Sequence, residues 1–115
     1  MKTTIERGAS GESWAVDLLM RRGYRIVDRN YRCKLGELDI IARDGATLVF
    51  VEVRSRATAA HGRAVEMVYS GKQRKVTRVA MQYIAYRRPR FDEARFDVVA
   101  ITGAEIELIK DAWRL

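Results

Sequence analysis

The chain opens on an amphipathic stretch. Trp14, Ala15, Leu18 and Leu19 fall on one side at helical spacing, with charged residues between them. Ser10 stands where an N-cap stands, and Gly23 where a left-handed residue ends a helix. The pattern predicts a first helix over about 11–22. The period then shortens. Residues 24–31 carry Tyr24, Ile26 and Val27 among charges, and residues 36–42 read Gly-Glu-Leu-Asp-Ile-Ile-Ala. Both predict strands. Asp44-Gly45 predicts a hairpin turn, and residues 47–54 a third strand buried over most of its length. Residues 55–69 carry no clear period, and 57–62 are expected to form a loop.

The helical period returns with Val76, Val79, Ala80, Tyr83 and Ile84. Ser70 and Gln73 have the spacing of a capping box, so a second helix is expected over about 71–86, stopping before Pro89. Residues 96–101 predict a fourth strand, and 105–109 a fifth with a short tail. The order α-β-β-β-α-β-β reads as an α/β sandwich around a mixed sheet, one domain over residues 1–115.

Composition narrows the classes. An apolar share of 48% over 115 residues excludes a disordered chain. Apolar runs such as Leu48–Val51 are too short to span a bilayer, and the first eight residues lack the apolar segment of a signal peptide. A cytoplasmic protein with no membrane association is expected. Cys33 and His61 are each the sole residue of their type, which excludes an intrachain disulfide and a Cys/His zinc site. Any metal must be held mainly by carboxylates and carbonyls, which favours Mg²⁺ or Mn²⁺.

Charge is uneven. The net charge is +7, yet residues 54–95 alone hold 11 Lys and Arg against Glu66, Asp92 and Glu93, leaving the rest of the chain at −1. Such a stripe suits a phosphate backbone, although it also suits a merely solvated face.

Asp39 and Glu52 interrupt otherwise apolar strands, and a buried carboxylate needs a partner or a metal. With Asp44-Gly45 as a two-residue turn, Asp39 faces Phe50 and Glu37 faces Glu52. Glu37, Asp39, Glu52 and Arg54 then share one face. Asp39 and Glu52 become diagonal neighbours, roughly 7–8 Å apart at the backbone, and can converge on one divalent cation. The plainer alternative is a solvent-facing pair of carboxylates matched by Arg54 or Arg43.

The stretch Gly36-Glu-Leu-Asp39, a dozen residues, then Val51-Glu52-Val53-Arg54 resembles the core of the PD-(D/E)XK nuclease superfamily. Nearly the whole chain resembles the small bacterial YraN/UPF0102 family. The matching stretches include Gly11-Glu12, Arg29-Asn30-Tyr31-Arg32, residues 48–56, Lys72 and Arg95-Phe-Asp-Val-Val99. The resemblance implies a restriction-endonuclease-like three-layer core, similar to archaeal Holliday-junction resolvases. It implies that Asp39, Glu52 and the Val53 carbonyl hold the metal, and that Glu12 completes the site from the side or through water. Arg54 takes the position of the superfamily lysine, and Gln73 or Lys72 sits near the scissile phosphate. Arg54 is always protonated, so it can stabilise charge but cannot act as a general base.

Lys72, Arg74, Lys75 and Arg78 crowd the start of the second helix, where cations are disfavoured unless an anion is near. With Arg56, Arg87 and Arg88 they are the candidate nucleic-acid contacts. Tyr31, Tyr69 and Tyr86 are candidates for base stacking, though a core or surface role is commoner for tyrosine. His61 is a weak candidate for proton transfer. Cys33 reads as inert, and Trp14 as core. Three functions remain open. One is a Mg²⁺- or Mn²⁺-dependent endonuclease on DNA, which on a branched substrate implies a homodimer. The others are a nucleic-acid-binding module with a decayed site and a protein adaptor.

Overall fold

The computed structural model describes residues 4–57 and 68–115, with side chains described from residue 11 onward. Helix α1 spans Thr4–Arg21, followed by strands β1 (Arg25–Cys33), β2 (Gly36–Asp44) and β3 (Thr47–Arg56). Helix α2 spans Ser70–Arg87 and leads into β4 (Glu93–Thr102) and β5 (Glu105–Arg114). The five strands lie in sequence order; β3 and β4 run parallel and the other neighbours antiparallel. This is the expected α-β-β-β-α-β-β mixed sheet between helical layers. No helix is long and apolar enough to cross a membrane.

Strand alternation sends side chains to two cores. On one face, Ala15, Leu18 and Leu19 of α1 pack on Ile40, Ala42, Val49, Val51, Val99 and Ile101. On the other, Val76, Val79, Ala80 and Tyr83 of α2 pack on Ile41, Leu48, Phe50 and Phe96. Fully burying each large apolar side chain contributes about 1.5–3 kcal/mol, so both helices are held by their stripes. Trp14 packs against the first core, as its spacing predicted.

Several local expectations are corrected. Helix α1 runs through Ser10, so Ser10 is not its cap. A Ser and a Gly inside a helix cost only about 0.5–1 kcal/mol each, which does not stop it. Gly23 does end it, at φ 89°, with its N–H bonded to the Met20 carbonyl. Ser70 is the first residue of α2. The N-cap position is Tyr69, without a side-chain cap bond, and the Gln73 amide donates instead to the Val68 carbonyl at 3.0 Å. Arg88 closes α2 in the left-handed conformation at φ 47°, one residue before Pro89. Strand β5 continues past residue 109 because a bulge at Asp111, φ 56°, lets Trp113 pair with Phe96. The loop expected over 57–62 lies outside the described residues beyond Ala57, and so does His61.

The β2–β3 turn is also shifted. Asp44 pairs with Thr47 and Ile40 with Val51, so the turn is Gly45-Ala46 rather than Asp44-Gly45. Gly45 adopts φ 62°, the left-handed geometry a tight hairpin turn demands. The register moves by two residues. Parity survives, so the carboxylates keep a common face, but Asp39 now lies level with Glu52 instead of diagonal to it.

Candidate active site

The site forms where the sheet's ladder breaks. Pairing of β2 with β3 ends at Ile40–Val51, and pairing with β1 skips from Ile40 to Leu38, so Asp39 pairs with neither neighbour. Opposite it, Asn30 takes a left-handed φ of 55°. Side chains replace the missing bonds. The Val53 N–H donates to Asp39 Oδ2 at 2.8 Å, and the Asp39 N–H to Glu52 Oε2 at 3.4 Å. The carboxylates thus stitch β2 to β3 and are held where they stand.

Arg54 binds what remains. Its Nη2 donates to Glu52 Oε1 at 2.8 Å. Its Nη1 donates to the Val53 carbonyl at 2.8 Å and approaches Asp39 Oδ2 at 3.4 Å. Two carboxylates and one carbonyl therefore converge on a single cationic group. The cavity above them, about 190 Å³, is floored by Asp39 and Glu52 and bounded by Gly36, Glu37 and Arg54. Lys72, Lys75, Val76 and Val79 of α2 form its other wall. Gly36 is required there: at φ 142°, a Cβ would also lie 3.2 Å from Val79 Cγ2.

Burial sets the electrostatics. Glu52 is 2% exposed, and its pKa is pushed up to about 7 by burial first and the Asp39 charge second, against the opposing pull of Arg54 and Lys72. Burial also raises Asp39, while the Val53 N–H and Arg54 oppose the rise. Glu12 contributes a smaller upward push on Asp39.

Among the described residues, no three His, Cys, Asp or Glu side chains gather into a metal cage. The donor set is instead two carboxylates and a carbonyl. That set fits a hard, oxygen-preferring cation that keeps several waters, provided Arg54 yields its place.

The remaining candidates separate. Lys72 and Lys75 line the cavity. Gln73 does not: its amide is tied to Val68, and it lines a second cavity with Arg74, Arg78 and Trp113, so of the two residues expected near the scissile phosphate Lys72 is the one at the carboxylate cavity. Glu12 lies outside the cavity wall and faces Arg29 at 3.4 Å. Arg56 donates to Thr102 Oγ1 at 3.3 Å, away from the cavity. Arg87 is held by Asp28 at 3.0 Å and by the Tyr31 and Tyr83 rings, and Arg88 is the helix C-cap. Both lie about 22 Å along α2 from Lys72. Tyr31 is occupied by an edge contact with Tyr83, whereas Tyr69 and Tyr86 are exposed. Cys33 is half-buried against the second core.

A second ionic cluster, not foreseen from the chain pattern, lies on the other face of the sheet. Asp97, fully buried on β4, accepts from Tyr24 Oη at 2.6 Å, Arg95 Nε at 3.0 Å and the Asp111 N–H at 2.9 Å. Its signal in the chain was the same as that of Asp39, a charge interrupting an apolar strand.

Comparison with known proteins agrees with the whole-chain resemblance. The model of the "Uncharacterised protein family UPF0102" matches residues 11–101. A UPF0102 protein of Syntrophus aciditrophicus is 44% identical over 119 residues, spanning 100% of this chain and 94% of the relative. One from Geotalea uraniireducens is 49% identical over 113 residues, spanning 94% and 89%. A third, from Geobacter metallireducens, is 45% identical over 112 residues, spanning 94% and 92%. Matched along nearly its full length by relatives of about its own size, this chain belongs to the UPF0102 family.

Proposed function

We propose that the cavity over Asp39 and Glu52 is a phosphodiester-hydrolysing site acting on nucleic acid, DNA in the first instance, with Mg²⁺ or Mn²⁺. One observation carries this reading. The Asp39 carboxylate, the Glu52 carboxylate and the Val53 carbonyl all reach one cationic position, in a cavity whose opposite wall is Lys72 and Lys75. The resemblance to the PD-(D/E)XK nucleases points the same way.

Asp39, Glu52 and the Val53 carbonyl would hold the ion. When bound, the ion supplies a more acidic water and neutralises charge gathering on phosphorus. The chain's own residues do the rest. The backbone N–H groups of Val53 and Asp39 hold the carboxylates against rotation. Lys72 and Lys75 anchor a backbone phosphate by charge. Arg54, released from the carboxylates, turns to the phosphate oxygens and stabilises the growing negative charge there. Arg54 takes no proton at any stage; the water's proton passes to solvent, and the departing sugar oxygen is protonated from solvent. A role on branched DNA would further require a second copy of the chain to cut both strands.

A specific observation favours one alternative. Arg54 already bonds all three acceptors, and if it never yields, the protein binds nucleic acid without cutting it. Labelled linear, single-stranded and four-way-junction DNA, incubated with Mn²⁺, Mg²⁺ or chelator, separates the two. Metal-dependent cutting by the wild type, lost in Asp39→Asn and Glu52→Gln, is the expected result. Equal binding by all three proteins with no cutting under any condition would overturn hydrolysis and leave the binding module.

A further inference from the structure

The first cavity does not account for the basic surface of α2. Beyond it, between α2 and β5, lies a larger opening of about 560 Å³. Its aromatic wall is Trp113. The indole lies flat on Phe96, with ring centres 4.6 Å apart and planes 7° from parallel. Its Nε1 donates to Thr77 Oγ1 of α2 at 2.9 Å. One face of the ring is thus covered by a fully buried phenyl and its polar edge is fastened to the helix, yet the ring itself is only partly buried. It is a rigid aromatic platform facing the opening.

The platform has a cationic rim. Arg74 and Arg78 of α2 and Arg114 of β5 border the same opening. Arg114 is paired with Glu93 and Asp111, but among the described residues neither Arg74 nor Arg78 has an acidic partner. The basic path is continuous. A shallow depression over Tyr69 and Gly71 is walled by Lys72 and Lys75, which it shares with the carboxylate cavity, and by Arg74 and Arg78, which it shares with the Trp113 opening. A flat aromatic face bordered by arginines, two of them without an acidic partner among the described residues, and joined by cations to the carboxylate cavity, matches a base attached to its backbone. An acidic peptide or a lipid headgroup supplies the charge but carries no flat base to lie on the indole.

We propose that the Trp113 opening is a stacking subsite for one unpaired nucleobase, on the strand whose phosphate enters the carboxylate cavity. Both openings share the basic start of α2 through the depression over Tyr69 and Gly71, so one short stretch of a single strand can reach the two sites together. A base inside a duplex cannot reach the indole face. The inference names the substrate class of the proposed site and rests on that reading: single-stranded, frayed or branched nucleic acid rather than plain duplex.

The test is an equilibrium titration of the full chain, in chelator to prevent cutting. The probes are a labelled ten-nucleotide single strand, the same strand with abasic positions, and the blunt duplex. Anisotropy reports binding, and tryptophan emission reports the platform. Stacking is worth enough for the intact strand to bind at least about fivefold tighter than the abasic strand and to quench emission. Trp113→Phe, which keeps an aromatic ring on Phe96, should lose most of the quench. The Arg74→Gln/Arg78→Gln double variant should weaken both strands alike. Equal binding of intact and abasic strands, or no quench on binding, would overturn the subsite while leaving the carboxylate cavity's function standing. Binding to none of the three probes would overturn both. The abasic comparison alters only the nucleic acid, so it holds even if a variant folds poorly.

Discussion

Two carboxylate–arginine clusters lie on opposite faces of the sheet, and they do different things with the same groups. Glu52, Arg54 and Asp39 lie on the α2 side; Asp97 and Arg95 lie on the α1 side with Tyr24. Glu52 pairs with Val98 and Asp97 with Val51, so the clusters are one residue apart in the β3–β4 ladder. Asp97 is sealed. Tyr24, Arg95 and the Asp111 N–H saturate it, and Arg95 is shared with Asp44 at 2.7 Å. The Tyr24 hydroxyl is held protonated, its pKa raised by burial and by Asp97. The other cluster is open. It ends at a cavity, its strands are unpaired at Asp39, and burial pushes both carboxylates towards the protonated form. The saturated cluster leaves no acceptor free; the under-stabilised one at a cationic cavity is the arrangement the proposed function requires.

The largest expected effect is at the sealed cluster. Asp97→Ala strands a buried guanidinium and should cost about 3–5 kcal/mol in urea denaturation, whereas Asp39→Asn should stay within about 1 kcal/mol. Equal losses at the two sites would erase the distinction.

Next comes pH. Between its ordinary value near 4.5 and about 7, Glu52 holds a proton in the folded chain that the unfolded chain releases. Its contribution is therefore fully present below pH 4.5 and is lost as pH rises through 7. In chelator, Glu52→Gln should match the wild type at pH 4 and exceed its stability by about 3 kcal/mol at pH 8. Thermal melts at the two pH values check this; a variant that is less stable at pH 8 contradicts it.

Arg54→Ala should raise Mn²⁺ affinity about tenfold by calorimetry, because it removes the cation already resting on the three acceptors. Unchanged affinity would mean that the guanidinium does not compete for that position. The smallest effect is at the rim. Lys72→Gln and Lys75→Gln should each lower the salt slope of DNA binding by about 1 while shifting stability by less than about 0.5 kcal/mol.

Much of the candidate site was legible because strands alternate. A carboxylate in an apolar strand announces itself, and parity put Asp39, Glu52 and Arg54 on one face even though the turn was misplaced by one residue. A shift of two preserves every side chain's face. Gln73 was misread because local spacing suggested a capping box, while the nearby Val68 carbonyl offered the better partner. Arg56, Arg87 and Arg88 share a charge stripe in sequence with Lys72, but strand and helix carry them to Thr102, Asp28 and the C-cap.

The chain alone determined the element order, the two apolar stripes that hold the helices, and the pair of carboxylates, because each is written in local periodicity. Only the tertiary structure decided which interrupted strand became a candidate site. Asp97 and Glu52 carry the same local signal. What separates them is the surface that closes over each: Tyr24 and the Asp111 bulge seal one, while the lysines of α2 leave a cavity over the other. Those partners lie 14 to 73 residues from Asp97 and on another element from Glu52, a separation that no local pattern encodes.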